Sequence, residues 1–229
     1  MKKIVVFSGA GMSAESGINT FRDSNGLWEE YDVSEIATPE GWKKNPKLVQ
    51  SFYNARRKNI LDAQPNEAHQ IIASLEESYV VKIITQNIDD LHERAGSSSV
   101  LHLHGNIRFA KSSGPNVEKK YYPIQGAELN LETDLCDDGF PLRPHVVWFG
   151  ENVPMYEKVI PMIESAEIFI VIGTSLNVYP AAGLIYYCNP KTLKYLIDPK
   201  AVELSVPKDF HVISKNAIEG IKELITFLD

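Results

Sequence analysis

The chain has 229 residues, 44% hydrophobic and 23% charged, with a formal net charge of −7. That length buries a sizeable core as one domain, or as one domain with a small insert, and the composition is that of an ordinary globular protein. The acidic balance argues against a nucleic-acid binder, which would need a basic face, while a basic peptide partner or plain solubility both fit it.

Cys136 and Cys188 offer no disulfide framework and suit a reducing compartment. The N-terminus enters a strand without a signal peptide, and no apolar run is long enough to span a bilayer. The expectation is a cytoplasmic protein with no nucleic-acid or membrane partner. No pattern points to an oligomeric state.

Lys3–Ser8 is a nearly continuous apolar run, which predicts a strand buried on both faces. Gly9, Gly11 and Ala14 then follow the G-x-G-x-x-G/A spacing, which delivers amide groups at a helix start to a pyrophosphate. An ordinary tight strand-to-helix turn has the same look. A hydride-transfer unit needs a second strand ending in an acid about twenty residues on. Residues 23–31 are polar and turn-rich instead.

Asn45-Pro46 reads as a cap and first helical position, with Leu48, Phe52 and Ala55 as the inward stripe. A second helix follows Pro65, with Ala68, Ile71, Ile72 and Leu75 inward. Residues 79–85 form a strand ending in Gln86-Asn87-Ile88-Asp89-Asp90, and 100–104 a short strand leading to Gly105. Residues 106–142 are the least regular part and read as an insert. Residues 146–149 form a strand or an extended lip. A helix through Val159, Met162 and Ile163 precedes the strand Ile168–Ile172, which stops at Gly173-Thr174-Ser175. A strand over 195–197 closes at Asp198-Pro199, and a last strand near Phe210–Ile213 precedes a helix over 217–227.

The expected fold is α/β, with a Rossmann-like parallel sheet as the large domain (about 1–27, 75–105 and 143–229). Segments of about 28–74 and 106–142 form a smaller inserted domain, with the site in the cleft between the two.

Four groups of residues leave more than one reading open. Thr85-Gln86-Asn87-Ile88-Asp89 is a helix cap with a charged first turn, or a set of ligand contacts. His102 and His104 share one face of a strand. They are structural histidines, a metal pair lacking an obvious third ligand, or a site with a general base. Val146-Val147-Trp148-Phe149 suits a plain core strand. Tyr53 and Arg56 are helix neighbours, and Arg56 is either solvated within Arg56-Arg57-Lys58 or an anion contact.

The run Gly9-Ala10-Gly11-Met12-Ser13-Ala14-Glu15-Ser16-Gly17-Ile18 with Thr20-Phe21-Arg22 strongly resembles the sirtuin family of NAD-dependent protein-lysine deacylases, in a bacterial-type form. Leu103-His104-Gly105 and Arg143-Pro144-His145-Val146-Val147-Trp148-Phe149-Gly150-Glu151 resemble further sirtuin motifs, so the likeness spans nearly the whole chain. The resemblance implies NAD as cofactor. It puts Gly9, Ala10, Gly11, Ser13, Ala14, Glu15, Thr20, Phe21, Arg22 and Trp28 along the cofactor, with Gly173, Thr174 and Ser175 in a later loop. By the same likeness Gln86 and Asn87 contact ribose, Asn87 orders the reacting groups, Ile88 lies beside them and Asp89 holds the carboxamide. Asp198 takes the other ribose, although the family often carries Asn-x-Glu where this chain has Leu196-Ile197-Asp198. Ala217 falls near adenine.

The implied reaction starts with loss of nicotinamide as the acyl oxygen attacks the sugar. His104 then activates a ribose hydroxyl, and lysine, nicotinamide and O-acyl-ADP-ribose are the products. Val147, Trp148, Phe149 and Gly150, with Val178, would pair with an acylated peptide as an added strand. Phe52-Tyr53-Asn54-Ala55-Arg56-Arg57 resembles the branch that removes acidic acyl groups, in which Tyr53 and Arg56 hold a succinyl or malonyl carboxylate and Ala37 widens the pocket.

One departure stands out. Between Gly105 and Arg143, where most sirtuins hold zinc on four cysteines, this chain has only Cys136 and no histidine. The expectation is no zinc, with Tyr121, Tyr122, Leu129 and Leu135 holding the insert through apolar contacts. Two other functions compete: an ADP-ribosyltransferase on the same scaffold, and a non-catalytic NAD sensor, which would be expected to have lost His104 or Asn87.

Overall fold

The computed structural model describes residues 1–19, 31–116 and 118–228. β1 (Lys3–Ser8) is buried from Ile4 onward, as a strand covered on both faces must be. After the single turn α1 (Gly11–Ala14), α2 (Val33–Ile36) and α3 (Pro39–Lys44) each start on a side-chain cap, Asp32 and Thr38 respectively. α4 (Pro46–Asp62) begins as Asn45-Pro46 indicated, with Asn45 Oδ1 accepting from the Leu48 amide at 3.2 Å. α5 (Glu67–Ser74) carries a reciprocal cap: Asn66 takes the amides of Ala68 and His69, and the His69 ring takes that of Asn66.

The remaining strands and α-helices are β2 (Val80–Thr85), α6 (Leu91–Arg94), β3 (Val100–His102), β4 (Gly105–Ser112), β5 (Tyr121–Pro123), β6 (Leu142–Val146), α7 (Tyr156–Glu164), β7 (Ile168–Ile172), β8 (Leu193–Ile197), β9 (Phe210–Ile213) and α8 (Ala217–Ile225). Among the described residues no helix is long and apolar enough to cross a membrane.

Six strands form a parallel sheet in the order β3-β2-β1-β7-β8-β9. The chain order reverses between β1 and β7, and Ser8 stands level with both Thr85 and Ile172 there. Open sheets bind ligands at this kind of switch point, beyond the carboxyl ends of the strands. Side chains alternate across the sheet. Ile4, Val6, Ile83 and Ile170 face α5 and α8 on one side. Val5, Phe7, Phe169 and Val171 face α7 on the other.

The 106–142 stretch is more regular than its composition suggested. β4 pairs antiparallel with β5 and β6 in a separate three-stranded sheet. β6, read from sequence as leading into a 143–229 segment, belongs to that small sheet, while α5, from the 28–74 segment, packs Ala68 and Ile72 on the large core.

α4 packs against the small sheet, and it buries two faces rather than one stripe. Val49, Phe52, Tyr53 and Ile60 pack with Ile36, Ala37, Ile107 and Trp148. Ala55, expected on the inward stripe, is exposed. The second buried face is polar. Arg57, fully enclosed, donates from Nε to the Ile107 carbonyl at 2.8 Å and from Nη1 to that of Ala127 at 2.7 Å. Gln50 and Asn54 both donate to the Leu129 carbonyl, at 2.9 and 3.1 Å. Burial lowers the Arg57 pKa to about 10, so it stays a cation at neutral pH.

These polar clasps hold the insert together with a small cluster of Ala110, Ile124, Leu129, Cys136 and Leu142. Leu135, expected to contribute, is 45% exposed instead. Tyr121 stacks on His145 with ring centroids 3.9 Å apart. Cys136 Sγ donates to Ser112 Oγ at 3.3 Å. One thiol beside a hydroxyl does not fit a closed zinc site. Among the described residues no group of three or more His, Cys, Asp or Glu side chains could hold a metal.

Candidate active site

Two loops meet at the switch point. Gly9 and Gly11 donate to the carbonyls of Ile172 and Gly173, at 3.0 and 2.8 Å. Gly173 has φ +62°, and a Cβ there would stand 2.2 Å from the Met12 nitrogen. A Cβ on Gly11 would stand 2.8 Å from Gly173 Cα. The glycines expected to admit a ligand therefore first admit each other. The amides of Met12 and Ser13 also return to the chain, at the carbonyls of Gly9 and Ala10. The expectation that this loop delivers free amides is corrected accordingly for Gly9, Gly11, Met12 and Ser13.

Ala10, Ala14 and Glu15 lie on the exposed outer side of the loop. Glu15 Oε2 accepts from the Ile218 amide at 3.0 Å, which ties the loop to the start of α8, where Ala217 is buried. Asp198 is half-buried at the carboxyl end of β8, and its Oδ1 accepts from the Lys200 amide at 2.9 Å. Thr20, Phe21, Arg22 and Trp28 lie outside the described residues.

The polar end of β2 grips both loops. Asn87 Nδ2 donates to the Gly9 carbonyl at 3.0 Å and to Ser13 Oγ at 3.2 Å. Ser13 Oγ in turn donates to Asp89 Oδ2 at 3.0 Å, and the Leu91 amide donates to Oδ1. Burial raises the Asp89 pKa, although both hydrogen bonds oppose the rise. Gln86 Nε2 donates to Thr174 Oγ1 at 3.0 Å, tying β2 to the Gly173-Thr174-Ser175 loop. Ile88 packs against the cluster that contains Ala37 and Tyr53.

His102 and His104 turn to consecutive carbonyls. His104 Nδ1 lies 3.2 Å from the Gln86 oxygen, and His102 Nδ1 lies 2.9 Å from that of Asn87. A carbonyl only accepts, so each Nδ1 carries the proton. For His104 this leaves Nε2 with its lone pair, and burial lowers its pKa against the smaller opposing pull of Gln86. At neutral pH it is an imidazole able to take a proton. His102 differs. Burial works against its charge, but Glu93 at 2.7 Å, helped by the Asn87 carbonyl and the Asp89 charge, outweighs it and raises the pKa. Glu93 was not singled out from sequence, because nothing in a nine-residue separation marks it as a partner.

The extended lip after β6 is pinned to the backbone of His104. The Val147 amide donates to the His104 carbonyl at 2.9 Å, Trp148's to Glu151 Oε2 at 2.9 Å, and Phe149's to the Ala37 carbonyl at 2.9 Å. All three amides are thus used within the chain, so a peptide adding here as a strand would draw on carbonyls. Phe149, Gly150 and Val178 are exposed.

Tyr53, 1% exposed, accepts at Oη from Trp148 Nε1 at 3.0 Å, and burial pushes its pKa up to about 12. Arg56 lies one helical step on, its Cζ 5.9 Å from the Phe52 ring centre. Burial lowers its pKa, while the charges of Tyr53 and Asp89 act to raise it. The acyl-pocket residues named from sequence, Ala37, Tyr53 and Arg56, therefore border the Asp89 end of the network.

Comparison with known proteins bears on the family of the chain. The Sir2 family model matches residues 9–180. An NAD-dependent protein deacylase of Bacteroides thetaiotaomicron is 51% identical, with 98% of this chain and 97% of the relative covered. One of Helicobacter pylori is 49% identical over 98% of this chain and 94% of its own length. The solved structure of a Sir2 homolog–NAD complex superposes with a TM-score of 0.87 at 39% identity, covering 99% of this chain and 89% of that one. On a family match over most of its length and close relatives over nearly all of it, the chain belongs to the Sir2 family.

Proposed function

We propose that the protein is an NAD-dependent protein-lysine deacylase that removes acetyl, succinyl and malonyl groups. The observation that carries this reading is His104: its Nδ1 is committed to the Gln86 carbonyl just past the carboxyl end of β2, the strand beside β1, which leaves Nε2 as the ring's proton acceptor. The polar set there suits a dinucleotide, since the carboxamides of Gln86 and Asn87 and the carboxyl of Asp89 gather where open sheets take one. Gln86, Asn87, Asp89 and Ser175 would hold its sugar and carboxamide, with Asp198 farther out. NAD, when bound, supplies an activated bond to nicotinamide and a sugar that can accept the acyl group.

The protein's own residues orient the partners and move one proton. His104 accepts it at Nε2 from a ribose hydroxyl. Trp148 and Phe149 bury the acyl-lysine stem and exclude water. Tyr53 and Arg56 meet an acidic acyl end with a neutral donor and a cation.

An intact base beside an acyl pocket favours deacylation over ADP-ribosyl transfer to a protein side chain. The relatives named as deacylases support the same choice. The free thiols of Cys136 and Cys188 are in keeping with a cytoplasmic setting.

The test is to incubate acetyl-, succinyl- and malonyl-lysine peptides with and without NAD and weigh the products. Free lysine with nicotinamide and O-acyl-ADP-ribose is expected. An intact acyl group with ADP-ribose on protein would move the reading to a transferase, and turnover indifferent to NAD would end it.

A further inference from the structure

Tyr53 is not simply one wall of a pocket; its hydroxyl has been given a direction. A phenol has one proton to donate, whereas an indole N–H can only donate. The 3.0 Å contact from Trp148 Nε1 therefore makes Tyr53 Oη an acceptor on that side. The phenol proton must leave on another side, and the Arg56 charge that acts on Tyr53 is one helical step away. With its pKa at about 12, the hydroxyl keeps that proton at neutral pH.

Trp148 is itself immobilised. The Arg143 guanidinium lies over its ring at 3.9 Å, and Trp42 packs on it with centroids 5.7 Å apart. Glu151 completes the lock with both oxygens: Oε1 pairs with Arg143, and Oε2 accepts the Trp148 amide at 2.9 Å. Arg143 and Trp148 are each 3% exposed. Such a buried cation over an aromatic face, paired on its far side, has little freedom to reorient.

We infer that Arg143 and Glu151 are positioning residues for acyl recognition: they lock Trp148, whose indole N–H turns the Tyr53 hydroxyl proton toward the acyl end beside Arg56. A carboxylate-ended acyl group gains a directed donor from this, and a methyl-ended one gains nothing. The inference rests on the deacylase reading above and adds to it the source of selectivity.

The experiment compares kcat/KM for succinyl- and acetyl-lysine peptides of one sequence in wild type, Trp148→Phe, Tyr53→Phe, the double variant and Glu151→Gln. Trp148→Phe removes the N–H and keeps a ring, so the succinyl-to-acetyl ratio should fall about tenfold, on top of whatever loss the two peptides share through the acyl-lysine stem. In the Tyr53→Phe background the same change should have no further effect, because Trp148 acts through that hydroxyl. Glu151→Gln leaves both rings in place and should lower the ratio roughly threefold. It carries the test if Trp148→Phe is recovered unfolded.

A ratio unmoved by these changes, an additive loss in the double variant, or equal loss on both peptides would each overturn the inference. Wild type that turns over the acetyl peptide alone would overturn it too, leaving deacylation intact. Wild type inactive on both peptides with NAD would remove the deacylase reading itself.

Discussion

Nδ1 of His104 meets the main-chain oxygen of Gln86 at 3.2 Å, and that bond settles which ring nitrogen can act. With the proton held on Nδ1, Nε2 is the sole basic atom of the ring. His104→Ala should lower NAD-dependent acyl-peptide turnover by about 10²–10⁴-fold. The pH profile carries the sign. The base must be neutral to act, and burial lowers its pKa from the ordinary imidazole value. The acid limb of kcat/KM should therefore fall below about pH 6.5. Steady-state rates across the acidic range check this, and a limb above that value would contradict it.

Arg56, proposed above as the cation of the acyl pocket, lies three residues from Tyr53 on α4. Arg56→Met keeps the stem and removes the charge. The succinyl-to-acetyl ratio of kcat/KM should drop by about 2–5 kcal/mol, at least roughly thirtyfold. Parallel loss on both peptides would instead give Arg56 a role common to all acyl groups.

Arg57, its sequence neighbour, has a different task. It fastens α4 to the carbonyls of Ile107 and Ala127, and those oxygens would lose their donor in Arg57→Met. A loss of about 2–4 kcal/mol is expected in urea unfolding. Chelator should leave the wild-type midpoint where it is if these clasps, and not a metal, hold the insert. Stoichiometric zinc in the purified protein, with a midpoint that falls on chelation, would refute this.

Acid should weaken the fold through His69. Burial lowers its pKa to about 4, with Glu93 pulling weakly the other way. The folded state thus prefers the neutral ring, while the unfolded chain takes up a proton near pH 6.5. The contribution is complete above the unfolded value and is lost as pH falls from 6.5 toward 4, a change of about 3 kcal/mol. His92, in ring contact with His69 and also lowered chiefly by burial, acts in the same sense. Urea midpoints measured across this window should decline, and His69→Gln should flatten the decline.

The parallel sheet was legible because its strands are unbroken apolar runs punctuated by glycine, as in Ile168–Ile172 before Gly173. Asn45 and Pro46 were legible for a similar reason: a cap is a local event. The small sheet was not. β4 buries Lys111 and Ser112, and Lys111 is satisfied by Glu118 at 2.8 Å, so charges that read as loop are interior. Arg57 was taken as part of a basic run because its partners are main-chain oxygens fifty and seventy residues away. Arg143 and Glu151 stood inside a quoted motif, yet only packing reveals that they clamp Trp148. The glycine motif pointed to the right location and the wrong first reason, since Gly11 and Gly173 make room for one another.

That meshing limits how the protein can change. A methyl group on either central loop would evict the other, so neither can be rewritten alone, and neither can move without carrying its neighbour. Altered cofactor preference, whether drifted or engineered, would have to enter from the periphery, at positions such as Asp198 on the end of β8.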